Sequence, residues 1–512
     1  MESTPQDRSQ LRNIATSPLR WWLLVTVGAG LLLITLDNSI LYTALPTLTA
    51  DLGASSSAAL WIINAYPVVM AGLLLGAGTL GDRVGHRRMF VAGLWIFGVA
   101  SLAAAFAPTA EVLIGARALL AVGAASMMPA TLALIRLTFA DSRERNIAIA
   151  IWGSLSVVGA AFGPILGGLL LERFWWGSVF LINVPVVALA LVATAIIAPP
   201  NDPDPSKKWD LLSSLQAMLG LVGAVLFIKE LAHIPQNWAV VAGALVASAV
   251  GFTLFVRRQR RMDEPLLDFG VFRNRAFSGG VLAAIFAMFA IAGAQLVTTQ
   301  RFQLVEGFTP LEAGMLVAAV ALGALPSGLL GAAFLHVLGL RFLIAGGLGA
   351  GALGLALAVL SIGVESLAVL IVGFIVTGLG LGGAFSVASA AIMGNAPPRK
   401  AGMAASVEEV SYEIGSLSAV ALLGSMLTFV YAASVRLPAG APEAARESIA
   451  DALGVADGDP ALIGAVNAAF DTAYLVAMIV LVVILAIGAL VTGLLLRAYG
   501  RRSEAMEYAD NH

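Results

Sequence analysis

Gly78-Thr79-Leu80-Gly81-Asp82-Arg83-Val84-Gly85-His86-Arg87-Arg88 is a short charged stretch between two apolar blocks, 59–80 and 89–107. Each block is close to the roughly 20 residues that a helix needs to cross the hydrocarbon core of a bilayer. The stretch therefore reads as a loop at a membrane surface. Gly78 lets the first block pack closely, Gly85 permits a tight turn, and Arg83, Arg87 and Arg88 anchor the loop. Asp82 is placed to accept bonds from helix N-terminal amides or from arginine. A related stretch, Gly331-Ala332-Ala333-Phe334-Leu335-His336-Val337-Leu338-Gly339-Leu340-Arg341, lies far along the chain. It keeps the outer glycines and the final arginine and loses the Asp-Arg pair. Duplicated halves of this kind mark secondary transporters, whose site lies near the membrane midplane between the halves.

Working outward, fourteen apolar spans are expected, at 21–45, 59–80, 89–107, 111–135, 146–171, 177–198, 211–230, 238–256, 276–299, 309–335, 341–361, 366–394, 402–431 and 468–498. In lipid each must satisfy its own backbone, so each is a helix. The chain reads as an all-α integral membrane protein with two six-helix bundles, 21–198 and 276–498, and two additional spans, 211–256, between them. Residues 1–20 and 499–512 are expected to be cytoplasmic tails, and 432–467 a long outer loop whose Pro442-to-Leu453 segment forms a short helix or remains a solvated connector. The lysines and arginines set the orientation. Of the 29, 23 fall on the side of the N-terminus, and Arg173, Arg301, Arg436 and Arg446 fall on the other. Arg117 and Lys229 lie within spans. Both termini are thus expected in the cytoplasm.

The bulk numbers agree. Of the 512 residues, 59% are hydrophobic and 12% charged, and the mean hydropathy is +0.92. A net charge of −2 gives no general attraction to nucleic acid. There is no cysteine, so disulfides and thiol chemistry are excluded. The first 20 residues are polar and the span after them exceeds the apolar region of a signal peptide, so nothing reads as cleavable. No Gly-Lys-Ser/Thr occurs, so ATP does not drive the protein directly. Two glycine triplets, beginning at Gly349 and Gly378, match a dinucleotide fingerprint by letter but lie inside apolar spans and read as packing glycines. The four histidines have no metal-ligand spacing. No cofactor, metal or enzymatic constellation emerges.

Charges inside the spans carry the chemistry. The thirteenth span holds Glu408, Glu409 and Glu413, roughly 9–16 Å deep by the helical rise. Carboxylates at that depth are costly and mark function by default. Glu409 and Glu413 share a helix face, and Tyr412 stands four residues from Glu408 and within reach of it. Glu408 and Glu409 point about 100° apart, so which glutamate faces a cavity stays open. Low dielectric and like charge favour a carboxylate's neutral form, so such groups hold protons and yield them to a cation. The alternative places these residues in a cytoplasmic loop. In the first span, Asp37 lies about 24 Å along the helix, and in the fourth, Arg117 lies about 9 Å from the opposite surface. The two are at similar depth and are expected to pair or to share a polar network with Asn38, the alternative being a static structural ion pair. Tyr42, Trp61, Asn64 and Tyr66 offer a substrate cavity with aromatic faces for an organic cation; Trp61 serves equally well as an interfacial anchor. Gly159, Gly163 and Gly167 line one face of the fifth span, and Pro164 kinks it. Lys229 and Glu230 read as structural, near the outer surface.

These residues together resemble the fourteen-span drug:proton antiporters of the major facilitator superfamily, the QacA-like and SmvA-like multidrug exporters. The resemblance covers nearly the whole chain and is carried by Leu36 to Pro46, Leu60 to Tyr66, Gly78 to Arg88, Arg117, Gly159 to Gly168, and Val407 to Gly415. It implies the major facilitator fold, alternating access, and proton-driven export of lipophilic cations such as quaternary ammonium antiseptics, cationic dyes and biguanides. It also implies a bacterial inner (plasma) membrane, with protons, small cationic substrates and lipid as partners of a monomer. By position, Asp37, Glu408 and Glu409 become protonation or cation-recognition sites. Glu413 stands where relatives often have Asp. Asn64 departs from the pattern, since many relatives have Asp there. Competing readings are an exporter of an anionic or neutral metabolite and, more remotely, a non-transporting membrane sensor. The excess of intramembrane acids over Arg117 favours cations.

Overall fold

The computed structural model describes residues 19–139, 141–206, 209–232, 236–263, 265–396, 401–438, 441–446, 449–455 and 459–500. The expected tails are therefore described only at 19–20 and 499–500, and Arg399 and Lys400 lie outside the described residues.

Helix dominates, and no strand occurs among the described residues. The first six helices are α1 (Leu19–Leu52), α2 (Ser56–Val84), α3 (His86–Ala105), α4 (Ala110–Thr138), α5 (Ser142–Arg173) and α6 (Ser178–Ile197). A hairpin of α7 (Leu211–Ala232) and α8 (Trp238–Gln259) follows. The last six are α9 (Arg275–Leu304), α10 (Pro310–Gly331), α11 (Val337–Gly363), α12 (Leu367–Gly394), α13 (Gly402–Ser434) and α14 (Pro460–Leu495). Thirteen of these are long and apolar enough to cross a membrane. The remaining expected span, 146–171, lies inside the 32-residue α5, whose 147–171 stretch carries no charge. Side-chain caps start many of the helices. Ser55 caps α2, Thr109 α4, Asp141 α5 and Asn274 α9, while Thr309 and Glu312 form a reciprocal capping box on α10.

Within the first six helices α1 packs on α5 and α4 on both α2 and α3; within the last six α9 packs on α12, α13 and α14. Three seams join the two sets: α2 with α13, α5 with the α10–α11 rod, and α1 with α9. Glycines allow the closest approaches. A Cβ at Gly163 would meet Ser39 Cβ at 2.6 Å, and one at Gly167 would meet Ile40 Cγ2 at 3.0 Å, so the glycine face of α5 lies directly on α1. The α7–α8 hairpin leans on α2 and reaches α13, where Val225 packs with Val68, Leu417 and Ala421. Where the two ends of the hairpin meet, Arg258 grips Asp210 through Nε and Nη2. Burial alone pushes the Asp210 carboxyl up, but hydrogen bonds from Arg258 and Ser213 outweigh it and hold it below the usual range.

Three expectations are corrected. The first span does not stop before Pro46: α1 continues to Leu52, because a proline inside a helix costs one bond, and that bond is replaced from outside. Pro46 cannot donate to the Tyr42 carbonyl, and Thr299 Oγ1 of α9 donates to it instead, at 3.0 Å. Likewise Pro164 frees the Ala160 carbonyl, and Ser39 Oγ of α1 donates to it at 2.8 Å. In the outer loop the segment from Pro442 to Leu453 is not one helix but a 3-10 turn, Glu443–Arg446, and a short helix, Ile449–Val455. In the α2–α3 loop Asp82 meets neither helix amides nor arginine among the described residues: its Oδ1 lies 3.0 Å from His86 Nε2, one turn on, the nearer partner once α3 begins at His86.

The same loop is held by a residue whose part the sequence does not announce. Gly85 adopts φ +96° and presents its bare Cα to Asn201, from the linker after α6. Asn201 Nδ2 donates to the Val84 carbonyl at 2.8 Å, and its Oδ1 accepts the Arg88 N–H at 3.1 Å. It thus caps α3 from another part of the chain, where Gly85 has no side chain to do so. Arg87 Nη2 donates to the Ala195 carbonyl at 3.0 Å, while Arg83 and Arg88 are exposed. Gly78 has room, since a Cβ there would reach only Ser406 Oγ, at 4.0 Å.

Candidate functional site

Asp37 and Arg117 lie on adjacent helices, α1 and α4, and both are buried, with 2% and 0% exposure. Arg117 Nη1 donates to Asp37 Oδ2. Asn183 of α6 donates to the other oxygen, Oδ1, at 3.1 Å, and its Nδ2 also lies 3.2 Å from Ser101 Oγ. Arg117 is held further: Nε donates to the Ile62 carbonyl at 3.3 Å, and the guanidinium sits 4.7 Å from the Tyr66 ring centroid. Its third nitrogen, Nη2, is buried with no hydrogen-bond partner among the described residues. Buried charge is tolerated only when paired in this way. Both oxygens of Asp37 are therefore committed within the first six helices.

The α13 carboxylates are arranged differently. Glu408, Glu409, Tyr412 and Glu413 are half-buried. They lie in the first half of α13. Tyr412 Oη donates to Glu408 Oε1 at 2.6 Å, and the Ser389 hydroxyl of α12 also bonds Glu408. Glu409 feels the charges of Glu408 and Glu413. Glu413 interacts electrostatically with Arg117, across the seam, and its Oε2 is buried without a hydrogen-bond partner among the described residues. Tyr66 feels Glu409, Glu413, Asp37 and Arg117 together. The four acids and the arginine thus form one electrostatic cluster shared by α1, α4 and α13.

Neutral polar residues surround it. The side-chain amide of Asn64 is fully buried, and neither of its polar atoms has a partner among the described residues; the same holds for the Tyr66 hydroxyl and Asn38 Oδ1. Tyr42 Oη lies 2.9 Å from Ser416 Oγ, one turn above Tyr412, and so ties α1 to α13. Gln303 Nε2 of α9 donates to the Thr43 carbonyl at 2.9 Å. Trp61 is not brought into this group. It packs against the apolar cluster of Val68, Val225, Leu417 and Ala421, and Lys229 Nζ of α7 lies 5.4 Å from its ring centroid and donates to the Ser57 carbonyl at 3.2 Å. Its aromatic face is taken by a resident cation. Sequence reading missed Asn183, Ser101, Ser389, Phe385 and Ser416. The polar members are isolated residues in apolar spans, and a buried polar side chain in a span is the one signal that could have drawn attention to them.

A bundle of membrane-length helices with a charged cluster enclosed at the seam between two helix sets has the plan of a secondary transporter. The chain belongs to the Major Facilitator Superfamily, whose family model matches residues 27–419. It is 38% identical over 498 residues to the multidrug efflux pump LfrA of Mycolicibacterium smegmatis, with 92% of this chain and 96% of that one covered. It is 36% identical over 431 residues to the methyl viologen resistance protein SmvA of Salmonella typhimurium, covering 84% and 87%. Among solved structures it resembles a bacterial homologue of the human lysosomal transporter Spinster, in an inward-facing and unoccupied conformation, with a TM-score of 0.65, 18% identity and coverage of 94% and 98%. That likeness speaks to the fold.

Proposed function

We propose that this protein is a proton-coupled exporter of lipophilic organic cations, working by alternating access across a bacterial inner membrane. The observation that carries the reading is the cluster itself: three carboxylates within six residues of α13, one of which, Glu413, interacts across the seam with Arg117 of the Asp37–Arg117 pair. The relatives named for multidrug efflux and for resistance to methyl viologen, a dication, support it. In this reading 21–198 and 276–498 are the moving bundles, 211–256 the inserted pair, both termini are cytoplasmic, and the monomer is the working unit.

The half-buried glutamates are the groups a cation from the cytoplasm meets first. Its charge replaces the protons on Glu408, Glu409 or Glu413, which leave to water. Asp37 gives up its part only when Arg117 or Asn183 shifts, which links cation binding on α13 to movement of the first six helices. The bundles then rock, the cation leaves outside, and protons return from there. Each net charge driven inward by 100 mV contributes about 2.3 kcal/mol. Trp61 takes no part in the cavity and instead holds the α7 hairpin. Dye efflux from energised vesicles tests the assignment: Asp37→Asn and Glu409→Gln are each expected to abolish proton-coupled efflux. If both leave it intact, the assignment fails. Export of an anionic metabolite instead, with no proton release on adding a cation to purified protein, would favour the rival reading.

A further inference from the structure

Two side-chain pairs meet in register between α12 and α13. Phe385 and Ser389 stand four residues apart on α12, as Glu408 and Tyr412 do on α13, so each pair lies on one helix face. The Phe385 and Tyr412 rings stack with centroids 4.3 Å apart and planes 13° from parallel. In the neighbouring layer Ser389 bonds Glu408, and the Tyr412 hydroxyl donates to the same carboxylate. The Tyr412 ring is thus fixed at its face by Phe385 and at its hydroxyl by Glu408. All four side chains are half-buried. Other aromatic rings of α1 and α2 are already engaged: Arg117 covers Tyr66, Lys229 covers Trp61, and the Tyr42 hydroxyl pairs with Ser416. Among the described residues, Phe385 and Tyr412 form an aromatic stack beside a carboxylate with no protein cation seated on it.

We propose that Phe385 is a specificity-determining residue of the cation site, forming with Tyr412 an aromatic stack beside Glu408 that selects planar aromatic cations over tetrahedral ones of equal charge. The proposal rests on the cation-exporter reading. A planar cation adds its ring to this stack, with its charge within about 6 Å of an aromatic face and next to the carboxylate. A tetraalkylammonium ion gains the same attraction from Glu408 but has no flat face with which to extend the stack. Discrimination then follows ligand shape, while charge recognition stays with the glutamates.

Equilibrium binding to the purified full-length protein tests this, with ethidium as the planar probe and tetrabutylammonium as the tetrahedral one. Phe385→Leu keeps apolar bulk and removes the ring. It is expected to weaken ethidium binding roughly tenfold and to change tetrabutylammonium affinity less than twofold. Phe385→Trp is expected to restore ethidium binding, and unchanged tetrabutylammonium affinity shows that the leucine variant is folded. Equal losses for both cations, no loss for either, or an unmutated protein that binds ethidium no more tightly than tetrabutylammonium would each overturn the proposal. Proton-coupled transport of the two cations is measured separately. Its absence would sink the exporter reading, while shape-selective binding through Phe385 would remain a distinct result.

Discussion

At the scale of single residues, Asp37 and Arg117 pose a sharp question, because a buried ion pair is weak evidence for either stability or function. Removing one partner strands the other, at a cost of about 3–5 kcal/mol. Asp37→Asn is therefore expected to lower thermal stability sharply, with Arg117 fully buried and left to the Ile62 carbonyl and the Tyr66 ring. The double variant Asp37→Asn/Arg117→Gln removes both charges and is expected to recover most of that stability in a detergent melt. If Asp37 belongs to the exchange site, the double variant stays inactive in efflux; recovered efflux would reduce the pair to a structural bond. The pairing was legible in the sequence, because helical rise alone brings the two charges to one depth. Asn183 and Ser101 were not, since nothing local tells a lone polar residue which neighbouring helix it will face. The place of Trp61, open between the cavity and an interfacial anchor, was illegible for the same reason. Its span was visible, but the face it shows to α7 depends on where the inserted hairpin docks.

At the scale of elements, the helices were readable from apolar length, and the end of α1 was misread at Pro46. Pro46 in α1 and Pro164 in α5 each expose a carbonyl that a hydroxyl from another helix satisfies. The α1 case joins the two halves: Thr299 takes the Tyr42 carbonyl, Gln303 the Thr43 carbonyl, and Ser416 pairs with the Tyr42 hydroxyl. The first two lie toward the C-terminal ends of α1 and α9, which the proposed orientation puts on the outer side, and the third joins α1 to α13 beside them. A state open to the outside must break them and hydrate the freed groups. Each is worth about 0.5–1.5 kcal/mol net. Thr299→Val with Gln303→Leu is expected to shift the population toward the outward-open state by several-fold. The chain has no cysteine, so a single Gln300→Cys provides the readout. Its labelling by a membrane-impermeant thiol reagent added from outside should speed up by a similar factor in the double variant. An unchanged labelling rate would mean that these bonds do not hold the outer side closed. The α1–α5 contact makes a companion prediction. Gly163→Val drives a branched side chain into Ser39, so about 1–3 kcal/mol of stability should be lost, seen as a lower melting temperature.

At the scale of the whole molecule, the α7–α8 hairpin decides how the two halves can move. It touches both: Val225 packs against Val68 of α2 and against Leu417 and Ala421 of α13. These two contacts differ in kind. Toward α2 there is a polar anchor, Lys229 on Ser57 and over Trp61. Toward α13 this cluster is apolar, and it lies beside the π-helical turn Val420–Gly424, where Gly424 takes Leu60 of α2 against its backbone. Apolar surfaces slide with little change in energy, whereas a lysine bonded within a mostly apolar surround does not let go cheaply. The hairpin should therefore travel with the first six helices and slip along α13. Thiol cross-linking in the cysteine-free chain can separate the two contacts. A short bifunctional reagent joining Ser57→Cys to Lys229→Cys replaces an anchor that already exists, so efflux should persist. The same reagent joining Val225→Cys to Leu417→Cys welds the sliding face, so efflux should stop and return when a cleavable linker is cut. If the second cross-link leaves efflux intact while the first abolishes it, the hairpin moves with α13, and the Lys229 contact is the one that breaks during transport.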